Sequence, residues 1–303
     1  MRCGGRVLTW GLAVATAATL LVSGCSDDSS SSSSTGDGDS SSGASPTATR
    51  AGSSETTGAG LSGSIDVGGR SLQLTCNGLG APTILLEGGE GQPGGALAAI
   101  RTAYEAKHLV CTYDRANVGA SDPAPTPRKA TAMTADLHRL LRQADVPGDY
   151  VLVGTSAGGL LVQAYARAYP DEVAGVVALN PVPPWDQWST LGLREMSPQE
   201  RTGEKAYYAG ENGESLDYRD LSAAVAAAPA PPGVPFHLVI STIAQCESPH
   251  DVCSRTYPAY EKIMRAVSQQ WPGGKIDEVQ AGHEIHLDNL PAVQAAVDDV
   301  LSR

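Results

Sequence analysis

An apolar run, Tyr150-Val151-Leu152-Val153, enters Gly154-Thr155-Ser156-Ala157-Gly158-Gly159 and leaves as Leu160-Leu161-Val162-Gln163-Ala164-Tyr165. Few features limit a fold as sharply. The first stretch reads as a buried strand, and the last as a helix closed before Pro170. A strand that turns straight into a helix leaves no room for side chains two residues on either side of its tip. Glycine is therefore expected at 154 and 158. The tip residue, Ser156, is pushed into a strained, exposed position at the positive N-terminus of the following helix. A hydroxyl placed there can attack a carbonyl, and nearby backbone N–H groups can hold the oxyanion that results.

The flanking sequence repeats this strand-to-helix alternation. "SGSIDVGGRSLQLTC" alternates around Gly68-Gly69 and predicts a β-hairpin. "PTILLEGG", "HLVCTYDR", "VAGVVALN" and "PFHLVIST" are short apolar strands, with "KIDEV" a weaker one. Helices are expected over residues 95–107, at "TAMTADLHRLLRQADV", from Pro258 to Trp271, and at "PAVQAAVDDVL". The alternation predicts an α/β fold: a mostly parallel twisted sheet with helices on both faces. Residues 181–234 hold no clear strand but carry Trp185 and Trp188, so they read as an inserted lid.

The N-terminal portion has a different character. Residues 1–25 begin with Arg2 and Arg6, continue with an apolar core too short to span a bilayer, and end Val22-Ser23-Gly24-Cys25. The ending resembles a bacterial lipobox, which implies lipid on Cys25 and a protein held at an extracytoplasmic membrane surface. Residues 26–60 are rich in serine and glycine and have little to bury, as expected of a flexible tether. The folded domain is therefore placed at residues 61–303. A net charge of −12 and the lack of a basic tract argue against nucleic acid as a partner. Export also implies disulfides. Cys246 and Cys253 are close enough for a local staple, leaving Cys76 and Cys111 to tie two early strands, although four cysteines permit three pairings. No CxxC spacing or histidine cluster suggests a metal.

With "GTSAGG", the motifs "ILLEGGEG", "YDRANVGASD" and "AGHEIHLDNLP" make residues 61–303 resemble the α/β-hydrolase fold family, serine branch. The resemblance implies that Ser156 is the nucleophile and that a late histidine is the base. His283 fits that role, and His286 is its nearby rival, placed to pack or cap the last helix. The Ala157 N–H would be one oxyanion donor. The second would be the Gly89 N–H, in the loop after the first parallel strand, where many relatives have His-Gly and this chain has Glu87-Gly88. Glu87 and Glu90 would disfavour an oxyanion unless they point away or pair.

The expected acid is less defined. One branch of the family ends a strand in aspartate where this chain has Asn180, and an amide cannot stabilise an imidazolium by charge. Glu247 or Asp251, in "CESPHD", would supply the carboxylate, with Glu247 nearer the strand end; Asp186 in the lid is a further alternative. Asp114, Arg115 and Gly119 read as structural. The implied activity is hydrolysis of a small acyl substrate through an acyl-enzyme, without a cofactor. Ser156 argues against the aspartate-nucleophile dehalogenases and epoxide hydrolases of this fold. Esterase, lipase, peptidase and haloperoxidase chemistries stay open, as does a tethered binding protein that keeps the fold without the catalysis.

Overall fold

The computed structural model describes residues 60–303, apart from 243–245, 247 and 249. The signal and tether segments with Cys25, and also Glu247, lie outside the described residues. The hairpin around Gly68-Gly69 forms as β1 (Ser62–Asp66) and β2 (Ser71–Asn77), which pair antiparallel. Both turn glycines have positive φ, +93° and +89°, a conformation that glycine adopts without steric cost. The apolar runs become β3 (Thr83–Glu87), β4 (Val110–Tyr113), β5 (Tyr150–Thr155), β6 (Val173–Leu179), β7 (Phe236–Ser241) and β8 (Lys275–Val279). One eight-stranded sheet results, in the order β1-β2-β4-β3-β5-β6-β7-β8, and every pairing from β4 to β8 is parallel.

Strand period fixes which helices cover which face. In β3, Leu85 packs in one core and Ile84 and Leu86 in the other; in β5, Leu152 faces opposite to Val151 and Val153. One face is covered by α2 (Ala130–Gln143), α3 (Ala157–Ala168) and α7 (Val252–Gln269), and the other by α1 (Ala98–Tyr104) and α9 (Leu290–Leu301). After β3 the chain moves outward to β4, then returns past β3 to β5. The loops after β3 and β5 therefore leave the sheet where its winding reverses, which is where open α/β sheets place their ligand crevice.

Residues 181–234 are helical: α4 (Trp185–Leu191), α5 (Pro198–Tyr208) and α6 (Tyr218–Ala226). Tyr207 stacks on Tyr218 and Tyr208 packs on Trp185, at 5.3 and 4.8 Å between ring centroids. Both expected disulfides form. Cys76 and Cys111 stand directly opposite on β2 and β4, and Cys246 pairs with Cys253. Helix α7 departs from expectation, since it starts at Val252 and carries Pro258 inside. Its start signal is Asp251, whose side chain accepts from Ser254 N and caps the helix. Among the described residues no helix is long and apolar enough to cross a membrane.

Candidate active site

Ser156 lies between β5 and α3 with φ +52° and ψ −116°. An L-residue at positive φ is strained, and the surrounding packing enforces it. A Cβ at Gly154 would stand 2.4 Å from the Gly158 carbonyl oxygen, and one at Gly158 2.4 Å from the Glu87 carbonyl oxygen. Both glycines flanking the serine are therefore sterically required, as the sequence implied. The elbow is closed by Ser156 N donating to Leu179 O at 2.9 Å and Gly159 N to Ser156 O at 3.0 Å.

Asn180, the residue after Leu179, ties this elbow to the loop holding His283. Its side-chain nitrogen donates to Ser241 Oγ (2.8 Å) and to the His283 carbonyl oxygen (3.0 Å), and its oxygen accepts from Ser241 N (2.8 Å). Ser241 Oγ in turn donates to the Gly282 carbonyl oxygen at 2.6 Å. Consecutive residues at the end of β6 thus hold the serine turn and the histidine loop. Asn180 is buried and serves as a backbone brace at the place where one branch of relatives has an acid. His283 keeps some accessible surface, yet desolvation around its ring lowers its pKa from the ordinary 6.5, with Glu284 opposing the shift by charge.

The loop after β3 lies against the elbow: a Cβ built on Gly89 would be 3.4 Å from Ser156 Cβ. The two glutamates that threatened this loop are both paired. Glu87 accepts from Tyr113 OH at 2.6 Å and is ion-paired with Arg115. Burial pushes its carboxyl above the usual range, against the pull of Arg115 and Tyr113. Glu90 accepts from Tyr207 OH, Tyr218 OH and Gly213 N at 2.7, 2.7 and 2.8 Å. Arg115 also donates to the carbonyls of Gly88 and Gly89 and, through two nitrogens, to Glu214. Glu214 accepts from Gly91 N. The helical insertion and Arg115 together therefore fix the backbone course of residues 87–91.

"YDRANVGASD" is a scaffold, as expected. Asp114 accepts from Gly94 N and Ala120 N, and Gly119 (φ +55°) has no room for a Cβ beside the Asp114 carboxylate. Both Asp251 carboxylate oxygens accept from backbone, from Ser254 N and Ser248 N. Asp186 is exposed in the first turn of α4, where an acid suits the helix dipole. His286 is buried in α8 (Ile285–Asp288), so it packs; the cap of α9 is Asn289. His138 stacks on Tyr169, and His237 lies between Asp277 and Asp299. Two residues that the sequence did not single out join the site. Gly89 N donates to Gln92 Oε1, and Gln92 Nε2 donates to Glu284 Oε1. Glu284 is next to His283 in sequence, the only signal that could have marked it.

Residues 76–223 match a family described as alpha/beta hydrolase fold. Over 113 residues the chain is 34% identical to a protein of Azorhizobium caulinodans named "Putative carbamate hydrolase RutD", covering 37% of this chain and 42% of that one. It is 29% identical over 99 residues to the uncharacterized protein YqjL of Bacillus subtilis, covering 33% of this chain and 39% of that one. The chain thus spans less than half the length of these curated relatives. Among solved structures, mouse alpha/beta hydrolase domain-containing protein 10 superposes with a TM-score of 0.58 at 17% identity, over 80% of this chain and 98% of that one. E-2-(acetamidomethylene)succinate hydrolase gives 0.57 at 17% identity, over 80% and 100%. At these identities the likeness is one of fold.

Proposed function

This chain has the alpha/beta hydrolase fold, and from that premise we propose that it is an exported, lipid-anchored serine hydrolase of esters or related acyl compounds. The observation that carries the reading is the glycine-enforced turn at Ser156, bonded to the end of β6 beside the residue that braces the His283 loop. Ser156 Oγ attacks the carbonyl carbon while His283 takes its proton. The N–H groups of Gly89 and Ala157 hold the oxyanion. His283 then protonates the leaving group, and water releases the acyl group by the same route. We assign the acid to the segment between β7 and α7, with Glu247 ahead of Asp251 because it is nearer the strand end in sequence; that the Asp251 carboxylate caps α7 supports this order. Lipid on Cys25 and a tether over 26–60 would hold the enzyme at an extracytoplasmic membrane surface.

A fluorophosphonate probe tests the nucleophile. The wild-type protein should be labelled on Ser156, and Ser156→Ala should not be labelled at all. Wild-type protein that stays unlabelled while a control esterase reacts would move the assignment to a binding protein. The acid is tested separately. Glu247→Gln should lower kcat by about 10⁴-fold, the scale of the aspartate-to-asparagine change in a protease triad. Asp251→Asn, which preserves a good N-cap, should cost less than about tenfold; the reverse order would assign Asp251.

A further inference from the structure

The loop beside Ser156 already holds a carboxamide. Gly89 N donates to Gln92 Oε1 at 2.8 Å, and Gln92 Nε2 donates to Glu284 Oε1 at 3.0 Å. Its partners fix the direction of this amide, because an N–H requires the oxygen and a carboxylate requires the NH₂. A Cβ built on Gly89 would lie 3.0 Å from Gln92 Oε1 and 3.4 Å from Ser156 Cβ, so carboxamide and serine flank one point. The Glu284 carboxylate is backed by protein. Its Oε2 is buried 3.5 Å from His286 Nδ1, and His286 is itself almost wholly buried. That leaves Oε1 as the edge aimed at Gln92.

We propose that Glu284 is a specificity residue that reads an N–H on the scissile carbonyl of the substrate, and that Gln92 is the internal stand-in which the substrate displaces. The inference rests on the serine hydrolase reading above. A substrate C=O would replace Gln92 Oε1 on Gly89 N, and its N–H would replace Gln92 Nε2 on Glu284. The shared chemistry is a carbonyl bearing N–H, as in a mono-N-substituted carbamate or a secondary amide. In a carbamate the Ser156 Oγ–carbon bond forms, the carbon–alkoxy bond breaks, and His283 passes the serine proton to the departing oxygen. In an amide the carbon–nitrogen bond breaks instead, and the same proton goes to the departing amine. A site built to hydrogen-bond such a group disfavours the analogue that lacks it, because its own polar atoms are left unpaired.

Two matched pairs test this. p-Nitrophenyl N-methylcarbamate is compared with its N,N-dimethyl analogue, and p-nitroacetanilide with its N-methyl derivative. Reaction at Ser156 is followed as product release and as loss of fluorophosphonate labelling, so a slowly released carbamoyl-enzyme is still counted. The readout is the rate ratio within each pair, which cancels any general effect of the variant on His283. In at least one pair, Glu284→Ala should lower the N–H preference by about tenfold or more, and Glu284→Gln, which retains an acceptor oxygen, should keep part of it. The pair that responds tells whether the N–H stays on the acyl group or leaves. Gln92→Ala should speed fluorophosphonate labelling, since the Gly89 donor is no longer occupied. Ratios unchanged in both pairs while the Glu284 variants are still labelled would overturn the specificity role alone. Labelling that does not speed up in Gln92→Ala would overturn the stand-in role. A wild-type protein without labelling would remove the serine reading and this inference with it.

Discussion

His283→Ala should lower kcat/KM for an activated ester by about 10⁴-fold or more, with KM little changed, because in the proposed mechanism His283 acts on the Ser156 proton in the transition state rather than on bound substrate. The wild-type pH profile carries a second part of the same prediction. Desolvation holds the His283 pKa below the ordinary 6.5, and the Glu284 charge only partly restores it. The imidazole therefore stays neutral, and able to accept a proton, somewhat below pH 6.5, so the acid limb of kcat/KM should have its midpoint under that value. Stability follows the same sign. Between the folded pKa and 6.5 the unfolded chain binds more protons than the native one, so the histidine's contribution is intact above about 6.5 and declines as pH falls through that window. An acid limb centred clearly above 6.5, or a His283→Ala variant within tenfold of wild type, would remove His283 as the base.

Arg115→Met should be the most damaging change outside the catalytic groups, at about 3–5 kcal/mol, because it leaves two buried carboxylates without their cation. For a domain of this size that is a fall in Tm of roughly 6–20 °C. Burial alone would lower the guanidinium pKa, but Glu214 and Glu87 hold it well above its usual value, so the cation is fixed at any working pH. Glu87 is raised by burial even with Arg115 present. Without it, protonation of Glu87 relieves part of the buried charge, so the stability deficit should shrink as the pH is lowered. Activity should fall further than stability predicts, since Arg115 also pins the carbonyls of Gly88 and Gly89 and through them the Gly89 N–H proposed as an oxyanion donor. Arg115→Lys should not restore it, because one ammonium cannot replace the planar fork that reaches Glu214 with two nitrogens. Thermal denaturation at two pH values, with ester turnover below both transitions, checks each statement. A Tm within about 2 °C of wild type would show that the ion cluster does not hold this loop.

Much of the fold was legible because its determinants are local. Apolar runs, strand–helix alternation and the Gly-x-Ser-x-Gly turn depend on neighbouring residues, and the strands and the helices that cover the sheet lie where those patterns placed them, apart from the start of α7. The elbow could be argued from sterics alone, since a Cβ at 154 or 158 collides with backbone only a few residues away or in the adjoining strand. Helix α7 shows the limit: it was expected from Pro258, but the Asp251 cap starts it earlier and the proline sits inside the helix.

What the sequence by itself determined was the layered sheet, the serine at its bend, and the spacing that lets two cysteine pairs close. What only the tertiary structure decided was which distant groups neutralise or occupy that bend. Glu87 and Glu90 read as threats to an oxyanion until Arg115, Tyr113, Tyr207 and Tyr218 came in from elsewhere in the chain to pair them. Asn180 read as a missing acid until it was found bracing three chain segments. Gln92 carried no signal and Glu284 only its place next to His283, though 192 residues apart they bridge the loop after β3 to the His283 loop. The reason is physical: steric and periodic constraints act between neighbours along the chain, whereas charge pairing and hydrogen-bond satisfaction are settled among groups that meet only once the sheet has closed.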